Sequence, residues 1–159
     1  QLVSREMIER SGASNLGEAY VATLANTIKP RIDTHFRTLP DRDHTTIMGS
    51  SMGGLISLFA YFHRPDVFGA AGVMSPALWP AHGAINNMVR RAPYTPGRLY
   101  IDNGAHEPSA RGMVDLLRDK GYTDAALRYV YDRAGRHSEA DWARRLPDAL
   151  RFLLAPHVP

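Results

Sequence analysis

Residues 45–62, TTIMGSSMGGLISLFAYF, decide how this chain folds. An apolar run from Thr45 to Met48 meets a knot of glycine and serine, then resumes from Leu55 to Phe62. The first run has the length of a strand and the second that of a helix, so the knot reads as a strand-to-helix turn. Gly49-Ser50-Ser51-Met52-Gly53 fits G-x-S-x-G with Ser51 at its centre, whereas Ser50 is flanked two residues away by Met48 and Met52. A serine on such a turn is held out above the sheet on a strained backbone, and the two glycines let neighbouring chain approach without a Cβ clash. A purely structural glycine-rich turn has the same pattern. The apolar strand before and the apolar helix after are what a turn built to present a hydroxyl requires.

Outward from that turn, helix and strand signals alternate. NLGEAYVATLANTIK, residues 15–29, pairs Asn15 with Glu18 as a capping box and places Leu16, Tyr20, Leu24 and Ile28 at helical spacing, predicting a helix with that face buried up to Pro30. GGLISLFAYFH, residues 53–63, is apolar nearly all round, as in a helix buried on most sides. GAAGVMS (69–75, ended by Pro76), RLYIDNG (98–104) and AALRYVYD (125–132) read as further strands. AHGAINNMVRRA (81–92), PSARGMVDLLRDKG (108–121) and SEADWARRLPDALRFLLA (138–155) carry helical spacing. Repeated strand-then-helix predicts the α/β class, a mostly parallel sheet with helices on both faces. No repeat, low-complexity tract or linker divides residues 1–159, so one domain is expected.

Composition narrows the function. The chain has 159 residues, is 44% hydrophobic and 22% charged, the usage of a water-soluble globular domain. Its net charge of +3 is scattered, with no basic stripe interleaved with aromatics, so no nucleic-acid partner is expected. With no cysteine, disulfides, thiolate nucleophiles and zinc-thiolate sites are excluded, and the compartment is left open. No apolar run reaches membrane-spanning length, no signal peptide is visible, and a start at Gln1 suggests a chain processed or cut from something longer.

A serine hydroxyl is a weak nucleophile and needs a base. Of seven histidines, His137 follows the last strand and precedes the last helix, at the carboxyl end of a strand where an α/β site is expected. A loop histidine merely capping the next helix is the structural alternative. Two carboxylates compete as the orienting acid: Asp102, at the end of the third strand, and Glu107, in the loop beyond it. Glu107 has the longer reach and the more exposed position and is favoured; Asp102 before Asn103 and Gly104 equally suits a turn cap. His106 beside Glu107 is read as lining a pocket or backing the acid rather than as the base.

RTLPDRDHTTIMGSSMGGLISLFAYFHRPDVFGAAGVMSPALW, then LYIDNGAHE, then GRHSEADWARRLPDALRFLL, in this order, resemble the esterase family of α/β-hydrolases that includes esterase D, enterochelin esterases, feruloyl esterases and mycolyltransferases. The resemblance runs from about Tyr20 to Leu154. It implies Ser51 as nucleophile, His137 as general base and acid, Glu107 as the acid, and the N–H of Met52 as an oxyanion donor. It also implies a small-molecule ester as substrate, with no metal or organic cofactor. Trp79 in SPALW resembles an aromatic near the acyl pocket of relatives, and packing under a loop explains it equally well. The family's usual domain carries several strands, and a first oxyanion donor, before this segment. The chain therefore reads as the C-terminal portion of that domain, and self-association through a bared strand edge near Thr45 to Gly49 is expected. Acyl transfer to a sugar or other alcohol, and an inert fragment or binding module, are the alternatives to ester hydrolysis.

Overall fold

In the computed structural model, residues 14–155 are described, with side chains from Leu16 onward. They fall into two compact units that divide between Pro40 and Asp41. The first is helical: α1 (Ser14–Thr23), a π-helical stretch (Leu24–Ile28) and α2 (Lys29–His35). Proline lacks an N–H and clashes with the carbonyl four residues back, so a regular helix should stop before Pro30. Here the chain widens instead: the Lys29 N–H reaches back to Leu24 O, and Pro30 falls in the first turn of α2, where a missing N–H costs nothing.

The face expected to be buried is mostly the exposed one, with Leu24 half-buried. Leu16, Tyr20 and Ile28 are 59%, 52% and 47% exposed, while Val21 and Ala25 are buried. Apolar residues stand on both sides of this helix, so i, i+4 spacing could not choose between them. The capping box expected at Asn15 falls outside the described side chains; the helix already runs from Ser14.

The second unit begins with a short 3₁₀ turn, Arg42–His44, whose Asp43 and His44 N–H groups are both accepted by the Asp41 side chain. Strands β1 (Thr46–Ser50), β2 (Ala70–Met74), β3 (Arg98–Gly104) and β4 (Leu127–Asp132) then pair side by side in that order, all parallel. Between and after them run α3 (Met52–His63), α4 (Pro80–Arg91), α5 (Arg111–Asp119) and α6 (Glu139–Leu153). The alternation predicted from sequence is the one observed.

Side chains of a strand alternate between faces, and the two cores follow that rule. Ala71 and Val73 of β2 with Leu99 and Ile101 of β3 face one way, against Leu58, Val89, Val114 and Leu117 of α3, α4 and α5. Ala70, Met74 and Tyr100 face the other way, against Ala149 and Leu153 of α6. Burying each such Leu, Ile or Val contributes about 1.5–3 kcal/mol. β2 is buried at all five positions, whereas β1 pairs with β2 alone among the described residues and is half-buried throughout. Because Ser50, Met74, Asp102 and Val130 sit at one level of the ladder, the loops after all four strands leave from the same end of the sheet.

Candidate active site

Ser51 follows β1 directly, with φ 57° and ψ −117°, a left-handed conformation that serine adopts only when its surroundings enforce it. They do. The Ser51 N–H donates to Met74 O, and its carbonyl accepts from Leu55 and Ala77. A serine preceding a helix usually caps it with its hydroxyl. Ser51 makes no such bond, leaving Oγ free to turn outward. Met52 opens α3, so its N–H has no partner within the helix and points out at the same end.

The two glycines of the motif are not equivalent. A Cβ on Gly49 would lie 2.7–2.8 Å from backbone atoms of Gly53, whereas a Cβ on Gly53 would meet nothing within 4 Å. The second position that must be glycine is Gly54, where a Cβ would stand 2.9 Å from Met74 O. The expectation of a clash holds for Gly49 and moves by one residue for its partner. Gly53 serves as the surface that Gly49 approaches.

His137 lies in the loop after β4. Its Nε2 is 2.9 Å from Ser51 Oγ and its Nδ1 2.9 Å from Glu107 Oε2. The loop is tied down at both ends: Arg136 N–H donates to Asp141 Oδ2, and Ser138 caps α6 by accepting from the Asp141 N–H. Trp142 meets the imidazole edge-on, with centroids 4.9 Å apart. The loop after β3 stacks directly on this one. Ala105 N–H donates to Asp132 O and His106 N–H to Gly135 O, an approach so close that a Cβ on Gly104 would lie 2.3 Å from Gly135 O.

Glu107 enters this stack almost completely buried, with a side chain 1% exposed. Its Oε1 accepts from the Gly104 N–H at 2.7 Å, from Ser75 Oγ at 3.0 Å and from Arg145 at 3.3 Å, leaving Oε2 for the histidine. Burial pushes its proton affinity up, and the Ser75, His137, Gly104 and Arg145 contacts outweigh burial and hold it below the ordinary carboxylate range. Asp102 is also buried but points elsewhere: Oδ1 accepts the Ser75 N–H, and Oδ2 lies 3.3 Å from Arg145 Nε. Burial pushes Asp102 up to about 6, against the pull of Arg145. Of the two competing carboxylates, Glu107 reaches the imidazole and Asp102 backs the loop.

His106 has an exposed side chain and joins the stack through its backbone. Trp79 is 58% exposed just before α4. Two residues escaped the sequence reading. Ser75, with φ 39°, ends β2 where only a strand stop before Pro76 was visible. Arg145 left a usable signal, since it shares one helical stripe with the buried Ala149 and Leu153. Among the described residues, no three His, Asp or Glu side chains gather as a metal ion would need.

A serine on a strand-to-helix elbow, a histidine and a carboxylate at the carboxyl ends of parallel strands, with helices on both faces of the sheet, define the α/β-hydrolase type. The family model described as "Putative esterase" matches residues 5–153, and the chain belongs to that family. It is 22% identical over 150 residues to an uncharacterized Bacillus subtilis (strain 168) protein, YbbA, covering 87% of this chain and 60% of that one. It is 27% identical over 137 residues to an iron(III) enterobactin esterase of Dickeya dadantii (strain 3937), covering 75% of this chain and 31% of that protein. The crystal structure of a Shigella flexneri enterochelin esterase superimposes with a TM-score of 0.75 at 20% identity, over 86% of this chain and 37% of that one. An Anaeromyces mucronatus ferulic acid esterase gives 0.69 at 20% identity, over 86% and 53%. The chain thus spans between 31% and 60% of the length of these relatives.

Proposed function

We propose that this chain hydrolyses carboxylic esters through an acyl-enzyme, with Ser51 as nucleophile, His137 as general base and acid, and Glu107 as the acid that orients it. One observation carries the reading: a single imidazole meets Ser51 Oγ and Glu107 Oε2 at 2.9 Å each, from loops at one end of the sheet. His137 Nε2 takes the proton of Ser51 as Oγ bonds to the ester carbonyl carbon. The Met52 N–H faces the oxyanion that develops, and Glu107 supports the imidazolium. The proton then passes from Nε2 to the departing alcohol oxygen as that C–O bond breaks. Water repeats the sequence on the acyl-enzyme and releases the acid.

Trp79 and His106, exposed beside these loops, are proposed to border the substrate. Since the solved neighbours include a ferulic acid esterase, esters of small aromatic acids are the first substrates to try. The test is labelling by an organophosphonate with peptide mapping, alongside hydrolysis of nitrophenyl acetate and methyl ferulate. Ser51→Ala should abolish labelling and lower turnover on the order of a millionfold, while Ser50→Ala keeps the label in place. Phosphonate on Ser50, or on no serine, refutes the assignment.

A further inference from the structure

The mechanism above uses Glu107 but leaves unexplained why a guanidinium is buried beneath it. Arg145 is 5% exposed, on the inward stripe of α6. A buried cation is costly unless paired, and an aliphatic residue there would fill the space without that cost. Arg145 faces carboxylates from three elements: Asp102 of β3 at 3.3 Å, Glu107 of the next loop at 3.3 Å and Asp132 of β4 at 3.6 Å. Asp132 has a second cation, Arg144, at 2.8 Å, so Arg145 is shared chiefly between Asp102 and Glu107.

Ser75 breaks the symmetry between them. Arg145 donates to Ser75 Oγ at 2.7 Å, and Ser75 Oγ lies 3.0 Å from Glu107 Oε1. A guanidinium can only donate, so the hydroxyl must accept from Arg145 and spend its one proton on Glu107. The direction of the chain, Arg145 to Ser75 to Glu107 to His137, follows from that alone. The positive φ of Ser75, unusual for a non-glycine residue, aims Oγ into the gap while its N–H serves Asp102.

We propose that Arg145 and Ser75 are positioning residues for the reaction assigned above. Ser75 and Arg145 together help hold Glu107 ionised and fix which carboxylate oxygen faces His137. The proposal rests on that functional reading, but its main readout does not need turnover. The groups facing Arg145 are Asp102 and Tyr100 of β3, Glu107 and Asp132, with Arg144 beside it on α6; those facing Glu107 are His137, Asp102 and Arg145. Removing one buried positive charge from this set favours protonation of the groups around it.

The experiment is NMR titration of the His137 ring in the free chain, assigned with His137→Gln, together with the acid limb of kcat/KM. Arg145→Met should move both upward by about one pH unit, because a buried positive charge that opposes protonation of the His137 ring is lost. Arg145→Lys keeps the charge and should return the titration to within about half a unit of wild type. Ser75→Ala should shift it in the same direction as Arg145→Met. Arg144→Met, which removes the neighbouring exposed cation, should leave it in place. The proposal is overturned if Arg145→Met and Ser75→Ala only lower thermal stability with the titration unmoved, or if Arg144→Met shifts it as far. Should Arg145→Met fail to fold, Ser75→Ala decides, and an unmoved titration there rejects the proposal. A wild-type chain without ester hydrolysis would reject the functional reading, while the His137 titration would still judge this one.

Discussion

Replacing Glu107 by glutamine changes one oxygen into an NH₂ and tests the site atom by atom. Oε1 accepts from three donors, the Gly104 N–H, Ser75 Oγ and Arg145. Turning the amide so that its NH₂ faced them would strand two or three buried donors at about 1–3 kcal/mol each, roughly 2–9 kcal/mol in all. The alternative is to leave the amide oxygen there and present NH₂ to His137 Nδ1, which must then become an acceptor. That moves the imidazole proton to Nε2, a tautomer change that costs far less. The amide therefore keeps its place and the histidine changes. An Nε2–H cannot take the proton of Ser51, so turnover should fall by about 10⁴-fold with the geometry intact, equivalent to about 5.5 kcal/mol of barrier. Hydrolysis of nitrophenyl acetate measures the loss, and ¹⁵N chemical shifts of the His137 ring report the tautomer. A Glu107→Gln chain within about tenfold of wild type, or one with Nδ1 still protonated, would refute the argument.

Asp102→Asn should cost no more than about tenfold in turnover, because Asp102 touches Ser75 and Arg145 and not the imidazole; a collapse as deep as that of Glu107→Gln would transfer the role to Asp102. The same substitution has a pH signature in stability. With its carboxyl raised from 3.8 to about 6 on folding, Asp102 favours the folded state most where it is protonated in both states, and that advantage is lost as pH rises through the folded value. Urea unfolding should show wild type losing about 2–2.5 kcal/mol relative to Asp102→Asn between about pH 4 and pH 7, and a difference that is flat or opposite in sign contradicts the assignment. Gly49→Ala should destabilise by several kcal/mol because a Cβ would meet Gly53 backbone at 2.7 Å, whereas Gly53→Ala should be neutral or gain up to about 1 kcal/mol. Equal urea midpoints for the two would disprove the packing argument. Finally, the edge of β1, paired on one side among the described residues, is predicted to support self-association. Sedimentation should show a dimer that Ile47→Lys weakens, and a clean monomer at all concentrations removes the idea.

The sequence by itself determined the strand-to-helix turn at Ser51 and the alternation that makes a parallel sheet, and it singled out His137 for its place after the last strand, because each depends on neighbours close along the chain. It narrowed the acid to Asp102 and Glu107 and favoured Glu107 on reach and exposure; the folded chain brings Glu107 to the imidazole but buries its side chain. Tertiary structure decided what local patterns cannot hold. Whether Leu16, Tyr20 and Ile28 or Val21 and Ala25 face inward depends on what lies beside the helix, since both sets are apolar at helical spacing. Gly54, not Gly53, abuts Met74, because the approach is made by the neighbouring strand β2, on the far side of the intervening helix in the chain. Ser75 and Arg145 come together from the end of β2 and the middle of α6, seventy residues apart, and no motif links them. Their meeting depends on the register that brings Met74 and Asp102 to one level and on α6 packing across that face. Distances between side chains far apart in sequence are set by how whole elements stack, so the charge beneath Glu107 could be seen only in the folded chain.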